Sequence, residues 1–314
     1  MTNRVWILPL ALAFAFASGV TAQNTKPDWA FLVPDKVQPP ATEEEGPQHV
    51  PGSDKAYTAK EVDNLSNPPD WFPGDHPAAP SVVQHGQGAV LACGSCHLMS
   101  GHGHPESADL AGMPAGYIVH TMHDFKTGAR IDPARMNAIA KGMSDEEIQQ
   151  AADYFASLKP GGWVKVMETK TVPKSYVSVR GRARMPLAGG GTEPLGNRII
   201  ELPEDARLAG LRDARSPFIA YVPPGSVRKG EALVKGGGHG KTIECSICHG
   251  DNLAGLADVP RLAGLHPLYI ARQLYAFQTG TNHSVSAALM KKVVAKLTAD
   301  DILDISAYLA AQQP

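Results

Sequence analysis

Four cysteines and two histidines carry the chemistry that is most readable in this chain. Cys245-Ser246-Ile247-Cys248-His249 reads C-x-x-C-H, and so does Cys93-Gly94-Ser95-Cys96-His97. This is the pattern for covalent attachment of a c-type haem. Two thiols three positions apart can each form a thioether to one vinyl group of the porphyrin. The next residue, His97 or His249, is then carried under the iron with an imidazole nitrogen to bind it. The two motifs use all four cysteines of the chain. Two other chemistries employ such pairs. A dithiol redox site would want a thioredoxin-like βαβ setting, and neither motif has one. A single zinc site built from both pairs would leave the histidine after each pair unexplained. Two covalently bound haem c groups are therefore the expected cofactors.

The elements that must position these residues occur twice. Cys93 and Cys245 stand 152 residues apart, and the same offset extends well beyond the motif. Leu110-Ala111-Gly112 falls on Leu262-Ala263-Gly264, Tyr117-Ile118 on Tyr269-Ile270, Met122 on Leu274, Phe125 on Phe277 and Gly128 on Gly280. Ile118, Met122 and Phe125, or Ile270, Leu274 and Phe277, step by four and three, which predicts one apolar helix face. Past the glycine the offset becomes 154, so the second copy carries two extra residues. Met136 then falls on Met290, Met143 on Leu297, Ser144 on Thr298, Ile148 on Ile302 and Tyr154 on Tyr308. Ser144 with Glu147 predicts a capping box that opens the last helix of the first copy, and Thr298 caps its equivalent. Ile148, Ala152 and Phe155, and Ile302, Ile305 and Leu309, are the expected buried stripes.

Each copy resembles a small class I cytochrome c, and the tandem resembles the dihaem cytochrome c4 type. The resemblance rests on the C-x-x-C-H motif, the L-A-G turn, the Tyr…Phe…Gly helix, the methionine and the final capped helix. It implies a mainly α fold: two tandem class I cytochrome c domains with long irregular N-terminal and inter-domain segments. It also implies a methionine as the second axial ligand, reached from the loop between the last two helices. Met136 and Met290 match that position. After Met185 the chain contains one methionine, Met290, so a His/Met second haem has no other source of sulfur. The first copy has competitors in Met99, His102, His104, His120 and His123, of which the histidines read as exposed. It also departs from the family twice. Leu98 stands where glycine is usual, as in Gly250. Ala108 stands opposite Pro260, whose carbonyl in the family accepts the N–H of the iron-binding histidine.

Outside the copies the sequence is less regular. Residues 1–22 have the form of a cleavable secretory signal, with Arg4, an apolar run over 6–17 and small residues before Gln23. That run is well short of the roughly 20 residues needed to span a bilayer. A periplasmic protein without a membrane span after cleavage is expected. The extension at 23–78 is proline-rich, with Thr58 and Glu61 forming a capping box and Trp29, Phe31, Trp71 and Phe72 suited to holding it on a surface. The haem domains are expected at 79–160 and 225–314. Residues 161–224 read as an ordered strap with short extended pieces at Val164, Val166 and Thr171-Val172. Lysine plus arginine number 29 against 31 for aspartate plus glutamate, which gives no basic excess for nucleic acid.

Three functions suit this pattern. The leading one is electron transfer between redox partners in a respiratory or dehydrogenase chain, a donor dehydrogenase or cytochrome and an acceptor oxidase or reductase. The second is the cytochrome subunit of a periplasmic dehydrogenase. The third is a dihaem enzyme of the peroxidase or thiosulfate dehydrogenase kind, which needs an open or displaceable axial position on iron. A pair of methionines at matching positions favours filled sites and a carrier without catalytic residues.

Overall fold

The computed structural model describes residues 27–31, 37–38, 46–132, 134–178 and 183–314. The expected signal at 1–22 lies outside them. The N-terminal arm contributes strands β1 (Val37–Gln38), β2 (Pro47–Gln48) and β3 (Tyr57–Thr58) and one helical turn, α1 (Ala59–Val62). Thr58 caps α1 by accepting the Glu61 N–H at 3.3 Å, and the Glu61 carboxylate accepts the Thr58 N–H at 2.7 Å.

The first copy consists of α2 (Ser81–Gln84), α3 (Gly94–His97), α4 (Ala115–Thr127), α5 (Met136–Gly142) and α6 (Asp145–Ser157). Helix α4 buries Ile118, Met122 and Phe125, the face expected from their spacing, and stops at Gly128, whose φ of 85° suits glycine. The reciprocal Ser144–Glu147 box, 3.2 and 2.8 Å, starts α6.

The segment between the copies then adds β4 (Val164–Glu168), β5 (Thr171–Pro173), β6 (Ser175–Ser178), β7 (Arg184–Pro186), β8 (Thr192–Pro194), β9 (Ile200–Pro203), the short helix α7 (Ala206–Gly210) and β10 (Phe218–Val222). It is more regular than the sequence suggested. Strand β10 is the centre of a small sheet, parallel to β4 with Phe218 opposite Val164 and antiparallel to β9 with Tyr221 opposite Ile200. The arm joins a second small sheet of this segment through β1, which runs parallel to β6, itself antiparallel to β7.

The second copy repeats the first as α8 (Ser226–Gly236), α9 (Ser246–His249), α10 (Pro267–Thr279), α11 (Ala287–Val294) and α12 (Ala299–Ala310). Ile270 and Leu274 are buried and Phe277 half-buried along α10, which ends at Gly280 with φ 75°. Thr298 and Asp301 form the full capping box of α12. One expectation proved too narrow. Helix α12 buries Ile302, Ile305 and Leu309, but also Leu303 and Ala307 on its other side. Those two pack against Ile199, Val222 and Leu268, so the inter-domain segment covers a face that α6 leaves to solvent. Helix α8 crosses α12 closely at Gly230, where a Cβ would fall 1.9 Å from the Asp304 carbonyl oxygen.

The two copies share one continuous apolar core and meet through equivalent positions. Arg130 and Asn282, each two residues past its helix-ending glycine, pair as an antiparallel bridge. Flanking it, the Ile131 N–H donates to Thr281 at 2.8 Å and the His283 N–H to Ala129 at 2.9 Å. Asp109 and Arg261, 152 residues apart and both buried, form an ion pair at 2.9 Å. Among the described residues no helix is long and apolar enough to cross a membrane.

Candidate haem centres

The turn α3 carries Cys93 at its N-terminal edge and His97 at its end, and α9 carries Cys245 and His249 in the same way. Both imidazoles are buried, and each points Nδ1 at the backbone carbonyl eleven residues on: Ala108 at 2.7 Å and Pro260 at 2.8 Å. A carbonyl only accepts, so Nδ1 carries the proton and Nε2 keeps its lone pair. Burial lowers the pKa of both histidines, opposed by these same carbonyls, so each is a neutral, ligand-competent imidazole near neutral pH. Alanine thus serves as well as proline at the accepting position. The other departure from the family carries a cost. Leu98 sits at φ 53° where its counterpart Gly250 sits at φ 81°. Roughly 1–3 kcal/mol is the usual penalty for a side chain held in that sparsely populated region. Burial also pushes the Cys93 thiol up to about 12 and the Cys245 thiol up to about 11, so both stay uncharged until they react.

Met136 and Met290 are half-buried and line the same apolar body as Cys93 and Cys245. Neither lies in a loop, as the family resemblance implied. Met136 is the first residue of α5 and Met290 lies inside α11, because the chain begins to coil before the capped helix is reached. The Asp132 carboxylate accepts the N–H groups of Ala134, Arg135 and Met136 at 3.1, 2.5 and 2.9 Å. Asn137 then ties that turn to α4, donating to Phe125 at 2.7 Å and Arg130 at 2.8 Å. In the second copy Gln278 donates to Val294 at 2.7 Å and Leu297 at 2.8 Å. Lys126, at the matching place in α4, donates to Met143 at 2.9 Å. Sequence reasoning passed over Asp132, Asn137, Lys126 and Gln278, although Lys126 and Gln278 obey the 152-residue offset.

Two of the competing groups of the first copy, His102 and His104, are engaged elsewhere. His102 stacks on Trp163, with ring centroids 4.5 Å apart and planes 5° apart, and lies 3.5 Å from the Asp109 carboxylate. His104 meets the Ser107 hydroxyl at 3.1 Å and accepts the Glu106 N–H at 3.2 Å. Both are half-buried rather than exposed; His120 is exposed and His123 half-buried. Met99 is buried, with its sulfur 2.8 Å from where a Cβ on Gly94 would stand. The two cysteine pairs stay in separate copies, and among the described residues no three metal-binding side chains converge, which removes the shared zinc site.

One further residue tests whether these surroundings suit a haem. The Arg130 guanidinium is buried between the copies, 2.6 Å from Gln273 Oε1, 3.4 Å from the Tyr269 hydroxyl and over the Phe125 ring at 4.8 Å. No carboxylate of the described residues pairs with it. A buried cation without a counter-charge is costly, and a haem brings two propionates. The free Nε2 atoms, apolar walls and unpaired cation fit the group.

No family model matches the chain. The cytochrome c4 of Pseudomonas aeruginosa is 28% identical over 229 residues, covering 71% of this chain and 85% of that protein. The thiosulfate dehydrogenase electron acceptor of Thiomonas intermedia is 26% identical over 239 residues, 75% of this chain and 85% of its own length. The cytochrome c-554(548) of Halomonas halodenitrificans is 35% identical over 77 residues that span 93% of it. The chain belongs to the dihaem class I cytochromes c. This dihaem cytochrome is mainly α-helical across its two repeated copies and carries two covalently bound haem c groups. It mediates electron transfer between redox partners.

Proposed function

We infer that Cys93 and Cys96 hold the first haem and Cys245 and Cys248 the second. His97 with Met136 would hold the iron of the first, and His249 with Met290 that of the second. The observation that carries this reading is the repetition of one donor arrangement: a neutral imidazole held by a carbonyl at 2.7 or 2.8 Å, with a methionine in the same apolar body. Haem iron supplies one-electron chemistry between ferrous and ferric states. With both donors on the iron, the histidine and methionine of each copy would leave no position for a substrate. Arg130 supplies charge for propionate, and the apolar core keeps water from the metal. The haem domains are assigned to 79–160 and 225–314, and the protein to the periplasm as a carrier between a dehydrogenase and a downstream acceptor. Service to one particular periplasmic dehydrogenase is a specific form of the same role, and the likeness to a thiosulfate dehydrogenase electron acceptor supports it.

The test is the spectrum of the oxidised holoprotein and the response of the reduced one to carbon monoxide. Both haems should be low-spin and slow to bind the gas. A high-spin haem that binds carbon monoxide rapidly, with no spectral change in Met290→Ala, would replace the carrier with a catalytic reading.

A further inference from the structure

The repeat makes each copy a control for the other, and their haem-attachment segments differ in one respect. Ile247, between the two cysteines of the second motif, is 65% exposed, whereas its equivalent Ser95 is 1% exposed. Cys248 is likewise exposed and Cys96 half-buried. The cause is the rest of the chain. Arg212 of the inter-domain segment donates to the Ser95 carbonyl and, at 2.9 Å, to the Val62 carbonyl of the arm. The arm also reaches this stretch directly, with the Leu65 carbonyl accepting the Ala92 N–H at 3.2 Å. Arm and segment are fastened to each other by the Trp71 indole on the Leu211 carbonyl at 2.7 Å, and by Arg215 on Asp75 at 2.7 to 2.9 Å. Together they close over α3. Among the described residues nothing closes over α9.

The open face has a definite chemistry. Ile243 is 52% and Leu289 70% exposed, close to the second motif and to Met290 respectively. The Thr242 hydroxyl on the Val293 carbonyl at 3.0 Å, and Lys296 on the Gly240 carbonyl at 3.4 Å, hold the two stretches side by side. Lys291, Lys292 and Lys296 accompany them against one carboxylate of the same two stretches, Glu244, while Lys241 is paired with Asp301 at 2.8 Å. The chain as a whole has a formal net charge of −2, so this basic border is local.

We propose that the apolar, lysine-bordered face around Ile243, Ile247 and Leu289 is the port through which both haems exchange electrons, and that it docks an acidic redox protein. The partner presents an apolar centre ringed by carboxylates. The covered first haem communicates with partners through the second. This rests on the carrier reading, since a port has meaning only if electrons leave the molecule. Apolar contact supplies the close approach of two redox centres, and opposite charge steers the encounter. Each ferrous iron gives one electron to one oxidant, so the reduced protein consumes two oxidants, and the first haem's electron crosses to the second before leaving.

Rapid mixing of the fully reduced dihaem protein with hexacyanoferrate(III), an anion, or tris(phenanthroline)cobalt(III), a cation, tests the port. In Lys291→Glu/Lys292→Glu at low salt the anionic oxidant should be about tenfold slower and the cationic one faster, with the difference fading at high salt. Both haems should slow together. Lys141→Glu, on the first copy, should leave both rates unchanged. If the double variant changes neither rate, or the first haem empties at its wild-type rate while the second slows, the single port is wrong. A dimer in sedimentation that Ile247→Ser dissolves would assign the face to a second copy and overturn the partner. The carrier reading fails separately, by rapid carbon monoxide binding in the wild type.

Discussion

Met290 is the residue on which the proposed second centre turns. A thioether is a soft, neutral donor that favours ferrous iron and raises the reduction potential. Replacing it with histidine puts a harder nitrogen beside the metal. The second haem's potential should then fall by on the order of 0.2 V, within the roughly 0.8 V that axial ligands command. Met290→Ala should instead turn that haem partly high-spin. Redox titration with visible spectra separates these outcomes, and an unchanged potential in both variants would remove Met290 from the iron. The first centre is held differently. Asp132 and Asn137 fasten the turn that carries Met136, so their loss should loosen the proposed ligand without touching it.

At the scale of elements, the arm is secured by a titratable contact. His76 lies 3.3 Å from the Asp70 carboxylate, and its other nitrogen meets the Tyr154 hydroxyl of α6 at 3.1 Å and the Pro77 carbonyl at 2.9 Å. The Asp70 hydrogen bond raises the His76 pKa against the opposing effect of burial, with Asp75 adding a smaller pull in the same direction. A group raised on folding contributes its full stabilisation below its ordinary value near 6.5 and loses it as pH climbs through the raised value. Hydrogen exchange over 70–77 should therefore be slower at pH 5.5 than at pH 8.5, after correction for intrinsic rates. His76→Gln should abolish the difference. Were the corrected protection equal at both pH values in the wild type, the histidine would not be holding the arm.

The whole molecule is closed by the pair that meets at the repeat's own symmetry. Asp109 follows the carbonyl that grips His97, and Arg261 follows the carbonyl that grips His249. Their 2.9 Å ion pair is a charge contact more than an aligned hydrogen bond, and Arg261 also donates to Ala263 at 2.7 Å and Ala111 at 3.3 Å. Burial works against the Asp109 charge, but His102 and Arg261 outweigh it and hold the carboxyl below its ordinary range. This contribution is present above the ordinary carboxylate value and is lost as pH falls through the lowered one. Removing one partner strands the other. Asp109→Asn should cost about 3–5 kcal/mol in chemical unfolding of the holoprotein, and Asp109→Leu/Arg261→Met should cost less than the single change. A double variant as unstable as the single one would show that the pair matters for shape rather than charge.

Local chemistry was determined by the sequence alone. The two C-x-x-C-H motifs, the offsets of 152 and 154, the apolar faces of α4 and α10 and the three capping boxes all depend on residues at most four apart, or on a repeat that compares the chain with itself. Such signals need no knowledge of the fold, because helix pitch and capping geometry are set by the nearest neighbours. Tertiary structure decided what lies between distant residues. It brought Arg212 over Ser95, laid a sheet on the second face of α12, placed Arg130 between the copies with no carboxylate of the described residues paired to it and set Asp109 against its own repeat partner. None of these leaves a period or a spacing to read, since a contact across more than a hundred residues is fixed by how the elements pack. The exposure of the second C-x-x-C-H turn and the closure over the first follow from that packing.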